Sequence, residues 1–271
     1  MTGADLVVAS GGCKFLQEGC QYPAPGLHSF EFEPLWGLQW GPFALTKPVL
    51  ITIIMTIVVA IVMTAAFRNA KLVPRGLQNV VEYFYDFIRV GICRDVIGKG
   101  GESWAPYLAT LFLFIFSLNF MGIFPVAQIA PTSITAYTWP LAILSYLIMW
   151  SVGIKHQGLG RYLKGALVPE GAPWWVLPIL TPIELLSTFV FRPVTLSIRL
   201  FANMFAGHIL ILVFSIAVEY FLIPHVAVLV SGLSFIMVAV LTAFELVVQI
   251  LQAYIFTVLT ASYIGEAMHG H

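Results

Sequence analysis

The stretch PVLITIIMTIVVAIVMTAAF, residues 48–67, contains no charged side chain. A helix of about 20 mostly apolar residues is long enough to cross the roughly 30 Å hydrocarbon core of a bilayer. A second stretch, residues 103–154, also has no Asp, Glu, Lys or Arg and has room for two such helices. These charge-free runs predict an integral membrane protein.

The composition of the whole chain supports the same prediction. Of its 271 residues, 59% are hydrophobic and only 10% are charged, whereas soluble domains have about 25% charged residues. The formal net charge is zero, which gives no support to nucleic-acid binding. The amino-terminal residues lack the positive patch and apolar core of a signal or import segment, so we expect none.

The predicted architecture is an all-α membrane protein with five membrane-embedded helices and one amphipathic surface helix. Residues 1–47 are polar and aromatic and are interpreted as an extracytoplasmic segment. Residues 48–271 are predicted to form a single transmembrane domain. Its spans are expected at about 48–67, 105–124, 134–154, 176–220 and 225–268.

The amphipathic helix is predicted over residues 76–97. Leu77, Val81, Phe84 and Ile88 recur at i, i+4, i+7 and i+11, and charged residues occupy another face. This pattern suits a helix lying on the membrane surface. The alternative is a helix that packs on the core of a soluble subunit.

The distribution of lysine and arginine predicts the orientation. Residues 68–99 contain six of these cations and residues 155–164 contain three, whereas residues 1–47 contain two. Cytoplasmic loops collect cations. We therefore expect the amino terminus outside and, after five spans, the carboxyl terminus in the cytoplasm.

The last two helices are longer than a bilayer requires. Residues 225–268 contain no proline and would form a helix of about 66 Å at 1.5 Å per residue. We predict two long, strongly tilted helices that form an antiparallel hairpin near Pro224, with Pro182 and Pro193 able to kink the first of them. A plain vertical five-helix bundle is the alternative.

The few polar residues in these helices are the candidate functional residues, because a charge at membrane depth costs about 2.5–3.5 kcal/mol on insertion scales. The stretch LSIRLFANMFAGH, residues 196–208, contains the most isolated cation, Arg199. The full set is Glu184, Arg192, Arg199, Asn203, His208, Glu245, Gln249 and Gln252.

Folding the hairpin at its turn predicts two polar layers. The midpoints of 199/252 and of 208/245 both fall beside Pro224, so Arg199 is expected level with Gln252 and His208 level with Glu245. A histidine beside a glutamate is suited to relaying protons near neutral pH, and a purely structural ion pair is the alternative. Arg199 could likewise be a structural charge, although Glu184 lies about 22 Å away along a continuous helix.

Two other polar residues have structural interpretations. Arg192 is expected either to be structural or to extend its charge to the membrane surface. Gln249 is expected to form a hydrogen bond to another helix.

Cys13 and Cys20 either pair in an oxidising compartment or remain free thiols. No catalytic or metal-binding motif is present, so no catalytic residue, cofactor or metal is predicted, and the chain is not expected to act as an enzyme by itself.

Two motifs resemble those of the a subunit of F-type ATP synthases. The first is RLFANMFAGH, residues 199–208, and the second is QAYIFTVLT, residues 252–260. The segment APGLHSFEF near the amino terminus is similar to actinobacterial members. A weaker resemblance extends from these motifs towards the amino terminus, as far as about residue 48.

The resemblance implies a role for each polar residue. Arg199 matches the arginine that faces the rotating c-ring, with Asn203 and Gln252 as polar neighbours. His208 and Glu245 match the pair that lines the half-channel open to the outside, in the order found in organellar members. Glu184 matches an acid of the cytoplasmic half-channel, with a one-residue difference in spacing. The acids that other members have on the outer access path are missing here, and only Asn119 remains.

The function implied is proton translocation through two offset half-channels, separated by Arg199, so that ring rotation drives ATP synthesis. The implied partners are the c-ring, the b subunits of the peripheral stalk, other ATP synthase subunits and membrane lipid. A bacterial plasma membrane and protons rather than sodium are expected. The alternative is a secondary transporter or ion channel that works alone.

Overall fold

The computed structural model describes residues 39–40, 43–44, 46–68, 76–124, 127–158, 160, 162, 165, 176–221 and 226–269. Within these residues, five helices are long and apolar enough to cross a membrane, which confirms the predicted all-α membrane fold. Two short antiparallel strands, β1 (Gln39–Trp40) and β2 (Phe43–Ala44), precede them; the sequence analysis did not predict these strands. Most of the amino-terminal segment, with Cys13 and Cys20, lies outside the described residues.

Three membrane helices have conventional lengths. They are α1 (Lys47–Arg68), α3 (Ala105–Phe120) and α4 (Thr135–Gln157). Isoleucines of α1, among them Ile54 and Ile61, are exposed, as expected of a helix whose side chains meet lipid. A helix satisfies its backbone hydrogen bonds internally, which the absence of water in a bilayer requires.

The amphipathic segment has two parts, α2 (Leu77–Ile88) and a π-helix, Arg89–Ile97. Val81 and Ile88 are buried, whereas Val80 and Tyr83 are exposed, which confirms the amphipathic pattern. The predicted helix over residues 76–97 is therefore present, and its second half is wound as a π-helix. The buried face packs on this chain's own core, and the location at the membrane surface stays a prediction.

The fourth membrane helix is a continuous helical run with a π-turn inside it. It comprises α5 (Leu177–Leu186), the π-turn Ser187–Phe191 and α6 (Arg192–Tyr220). Pro193 has no N–H to donate to the carbonyl four residues earlier, and wider turns of this kind occur where the regular hydrogen-bond ladder is interrupted. The π-turn just before Pro193 is therefore explained by that proline, and the kink predicted from Pro182 and Pro193 stays a prediction.

The fifth membrane helix, α7 (Val226–His269), is 44 residues long and unbroken, in agreement with the predicted 225–268. Residues 222–225, where the sequence predicts the turn, lie outside the described residues. Ser231 of α7 donates a hydrogen bond to the carbonyl of Val218 in α6 at 2.8 Å. This contact fits antiparallel packing, while the tilt and the complete hairpin stay predictions.

The chain divides into two compact units, which are described separately. The first comprises Met1–Met55, Ser117–Ile134 and Ala202–Leu251, and the second comprises Thr56–Phe116, Thr135–Phe201 and Gln252–His271. The first unit contains a small apolar cluster of Ile51, Ala127 and Ile129. The second contains the larger core, in which Ile88, Leu108, Ile115, Leu200 and Phe256 are almost completely buried. The predicted single transmembrane domain stays a prediction.

Candidate functional site

In the first unit, His208 of α6 and Glu245 of α7 are in contact. Nδ1 of His208 lies 2.7 Å from Oε1 of Glu245, and only 11% and 4% of the two side chains are exposed. The pairing derived from the position of the turn is therefore confirmed. Two titratable groups in contact inside an apolar unit can exchange a proton without solvent between them.

Two glycines, which lack a Cβ atom, make room for the side chains of His208 and Glu245. A Cβ atom on Gly122 would overlap the imidazole of His208, and one on Gly207 would lie 3.3 Å from Cδ of Glu245. Any larger residue at position 122 would therefore push the imidazole away. Neither glycine was predicted as a site residue from the sequence, in which the available signal was the adjacency of Gly207 to His208.

Asn119 lies beside the same turn and is completely buried. Its Oδ1 accepts a hydrogen bond of 2.5 Å from Oγ1 of Thr132, and its carbonyl accepts one of 2.9 Å from the backbone N–H of Gly122. Its Nδ2 has no hydrogen-bond partner among the described residues. Asn119, Gly122 and His208 are thus brought together by the turn that follows α3.

Gln249 is also completely buried in the first unit. Neither its amide oxygen nor its amide nitrogen has a hydrogen-bond partner among the residues that the structure describes. The predicted hydrogen bond from Gln249 to another helix is therefore wrong for this part of the chain. Asn203, by contrast, lies on the exposed face of α6.

In the second unit, the α6 backbone presents Arg199 outward. Leu196, Ser197 and Leu200 are buried, and Oγ of Ser197 donates to Oγ1 of Thr138 at 3.0 Å. These contacts fix one face of α6 inside the unit and leave Arg199 exposed. No acidic side chain in the described ranges forms an ion pair with Arg199. Gln252 of α7 is buried in the same unit.

Arg192 has a partner, Glu266, that was not predicted from the sequence. Its Nη1 lies 2.5 Å from Oε2 of Glu266, and its guanidinium lies 5.5 Å from the centre of the Tyr263 ring. Exposure is only 26% for Arg192, so its charge is held inside the unit instead of extending to the surface. Glu266 was missed because it lies near the end of α7, where an acid is easily attributed to solvent.

A cleft of about 50 Å³ lies beside this ion pair. Such a volume accommodates one or two water molecules. Glu184 also lines the cleft, and its Oε1 accepts a weak hydrogen bond of 3.4 Å from Thr188. We call this cleft the inner cleft. The polar residues that line it are Gln157, Tyr162, Glu184, Thr188, Arg192, Tyr263 and Glu266. Among the described residues, no three His, Cys, Asp or Glu side chains are grouped closely enough to hold a metal.

Comparison with known proteins agrees with the two motifs. The family model described as ATP synthase A chain matches residues 49–265. Proteins named ATP synthase subunit a are similar over most of their length. The protein from Streptomyces lividans is 45% identical over 94% of this chain and 90% of its own. The protein from Parafrankia sp. is 45% identical over 94% and 86%, and that from Rhodococcus erythropolis is 39% identical over 92% and 91%. The chain is a multi-pass membrane protein that belongs to the ATP synthase A chain family.

Proposed function

We propose that this subunit of the membrane sector of ATP synthase is the stator against which a ring of c subunits turns. In this proposal Arg199 separates two offset half-channels, and protons that pass from one to the other must travel on the ring. Ring rotation then drives ATP synthesis. The proposed neighbours are the c-ring and the b subunits of the peripheral stalk.

The observation that carries the proposal is that Arg199 is exposed and forms no ion pair with any of the residues that the structure describes. A guanidinium at membrane depth costs about 2.5–3.5 kcal/mol and is normally compensated by protein or water. Because the described residues of this chain supply no carboxylate to it, the counter-charge is expected from another chain. An acidic side chain of the ring supplies that charge each time it passes.

Electrostatics explain how Arg199 would enforce rotation. A cation within a few ångströms lowers the pKa of the ring carboxyl, so the carboxyl passes Arg199 as the anion. The arginine itself does not give up a proton. A proton can therefore leave the ring on one side of Arg199 and join it on the other, but it cannot cross directly.

The two polar clusters are assigned to the two half-channels. His208 and Glu245, with Asn119 beside them, would receive protons from outside, because an imidazole and a carboxylate in contact can pass a proton between them. The inner cleft, with Glu184, would release protons to the cytoplasm. Its volume supports this assignment, since it has room for water. Asn203 and Gln252 would be polar neighbours of Arg199.

The orientation completes the proposal. We place the amino terminus outside and the carboxyl terminus in the cytoplasm of a bacterial plasma membrane, with protons as the coupling ion. The cation-rich segments 68–99 and 155–164 support this arrangement.

The proposal is tested by ATP-driven acidification of inverted membrane vesicles that contain Arg199→Ala. Arg94→Ala is the matched control, because it removes an exposed cation outside the membrane spans. The amount of this chain that purifies with the complex measures assembly. We expect Arg199→Ala to assemble and to lose pumping, and Arg94→Ala to pump like the wild type.

Pumping by Arg199→Ala at the wild-type rate would overturn the proposal and leave Arg199 with a structural role. Ion transport by the purified chain alone in liposomes would instead favour the stand-alone transporter or channel.

A further inference from the structure

The buried amide of Gln249 needs hydrogen-bond partners. The side chain is 0% exposed, and both of its polar atoms are unsatisfied by the described residues. An amide of this kind offers two donors and an acceptor with two lone pairs. A buried polar group that is left unpaired has lost its hydrogen bonds to water without replacement, so a partner is expected in the membrane-embedded protein.

The position of Gln249 on α7 indicates what this partner does. Gln249 follows Glu245 by four residues, and side chains at this spacing lie on the same helix face, about 5–6 Å apart at their Cβ atoms. Glu245 is 3% exposed, and its carboxylate has room for about four hydrogen bonds, of which His208 can supply one. On one face of one helix, Gln249 therefore lacks partners among the described residues and Glu245 has acceptor capacity that His208 does not fill.

We propose that Gln249 binds water inside the first unit and that this water donates a hydrogen bond to the Glu245 carboxylate. The site extends the proton path by one turn of α7 beyond the His208–Glu245 pair. Water is the partner with the right chemistry, because it both donates and accepts, and buried waters typically satisfy about three polar groups that lack protein partners. The inference rests on the proposed function and adds a positioning residue to it.

The proton balance of this step is simple. A bound water that gives a proton to Glu245 takes one from the next water, so its own charge is unchanged after each transfer. The Gln249 amide neither gains nor loses a proton. Its role is to hold the oxygen of the water at hydrogen-bond distance from the carboxylate.

The test separates a polar role from a packing role by two substitutions. Gln249→Met keeps an unbranched side chain of similar length but cannot hold water, whereas Gln249→Ser loses volume but keeps a hydroxyl and leaves room for water. Gln249→Leu replaces the methionine variant if that variant does not assemble. Thr242→Val is the control, because Thr242 donates to the Val238 carbonyl of its own helix and needs no water.

The measurement is passive proton conduction of inverted vesicles after the soluble sector has been removed from the assembled complex. We expect at least a tenfold loss for Gln249→Met with normal assembly, at most a twofold loss for Gln249→Ser, and no change for Thr242→Val. A packing role predicts the opposite order, because a cavity destabilises a core more than a well-fitting apolar side chain does. Wild-type conduction by Gln249→Met, or a larger loss for Gln249→Ser, would overturn the inference.

A second measurement distinguishes failure of the water site from failure of the proposed function. It is ATP-driven pumping by Arg199→Ala in vesicles of the same kind before the soluble sector is removed. If Arg199→Ala still pumps, the proposed function fails. If Arg199→Ala does not pump and Gln249→Met conducts normally, only the water site at Gln249 is overturned.

Discussion

At the scale of single residues, the position of the His208 imidazole depends on a missing Cβ atom at Gly122. Gly122→Ala is expected to displace the imidazole from Glu245 and to reduce ATP-driven proton pumping about tenfold or more, since displacements of about 1 Å at a reacting group have effects of this size. Gly91→Ala is the control, because its new Cβ would meet only the Phe87 ring at 3.9 Å. Equal pumping by the two variants would show that the imidazole has room to adjust.

Also at the scale of single residues, the Arg192–Glu266 ion pair should contribute more to the free energy of unfolding than the Arg89–Glu102 ion pair. Both pairs have an N–O distance of 2.5 Å, but the Arg192 pair is 26% and 36% exposed and the Arg89 pair is 47% and 43% exposed. Double-mutant cycles on the free energy of unfolding in detergent should give a coupling of about 1–2 kcal/mol for the first pair and a smaller coupling for the second, whose charges are screened by solvent. A larger coupling for Arg89–Glu102 would contradict this ranking.

At the scale of elements, the close approach of α7 to the π-helix Arg89–Ile97 requires a small residue at Gly265. A Cβ there would lie 3.3 Å from both Cα of Ile97 and the carbonyl oxygen of Val96, whereas a Cβ at Gly232 of the same helix would meet nothing within 4 Å. Gly265→Val is therefore expected to lower stability by about 1–3 kcal/mol through overpacking, and Gly232→Val should be much milder. Thermal unfolding of the purified complex measures the difference. Similar melting temperatures would mean that the π-helix moves freely.

The burial of the π-helix also lowers the reactivity of its cysteine, Cys93. Burial raises the pKa of the Cys93 thiol to about 11, so at pH 8 it carries little of the reactive thiolate. The thiolate fraction at this pH is about a hundredfold lower than for a thiol of ordinary pKa. In a chain with Cys13→Ser and Cys20→Ser, alkylation of Cys93 should be at least about a hundred times slower than alkylation of Tyr83→Cys, because Tyr83 is 80% exposed on the same segment. Comparable rates would show that this segment detaches from the core.

At the scale of the whole molecule, the five helices among the described residues that are long and apolar enough to span the membrane predict that the two termini lie on opposite sides of it. The cation distribution predicts a cytoplasmic carboxyl terminus, so a green fluorescent protein fused after His271 should fold and fluoresce. A fusion of the same protein before Met1 should be dark after export through the general secretion route. The reverse pattern would invert the topology and exchange the two proposed half-channels.

Much of this protein follows from its sequence alone. Five apolar runs predicted five membrane helices, because only a helix satisfies the backbone inside a bilayer, and the uninterrupted run 225–268 predicted α7 within one residue at each end. The contact between His208 and Glu245 also followed, because residues equally distant from one turn meet when two regular helices pack antiparallel.

Other features depended on tertiary structure. The burial of Gln249, the space at Gly122 and the pairing of Arg192 with Glu266 are set by how closely segments far apart in the chain approach one another. Helix periodicity identifies a face, but it does not say which segment covers that face or at what distance. The sequence thus determined which elements form and which polar residues they contain, and packing decided which of these residues meet, because contact distances depend on the side chains of both surfaces.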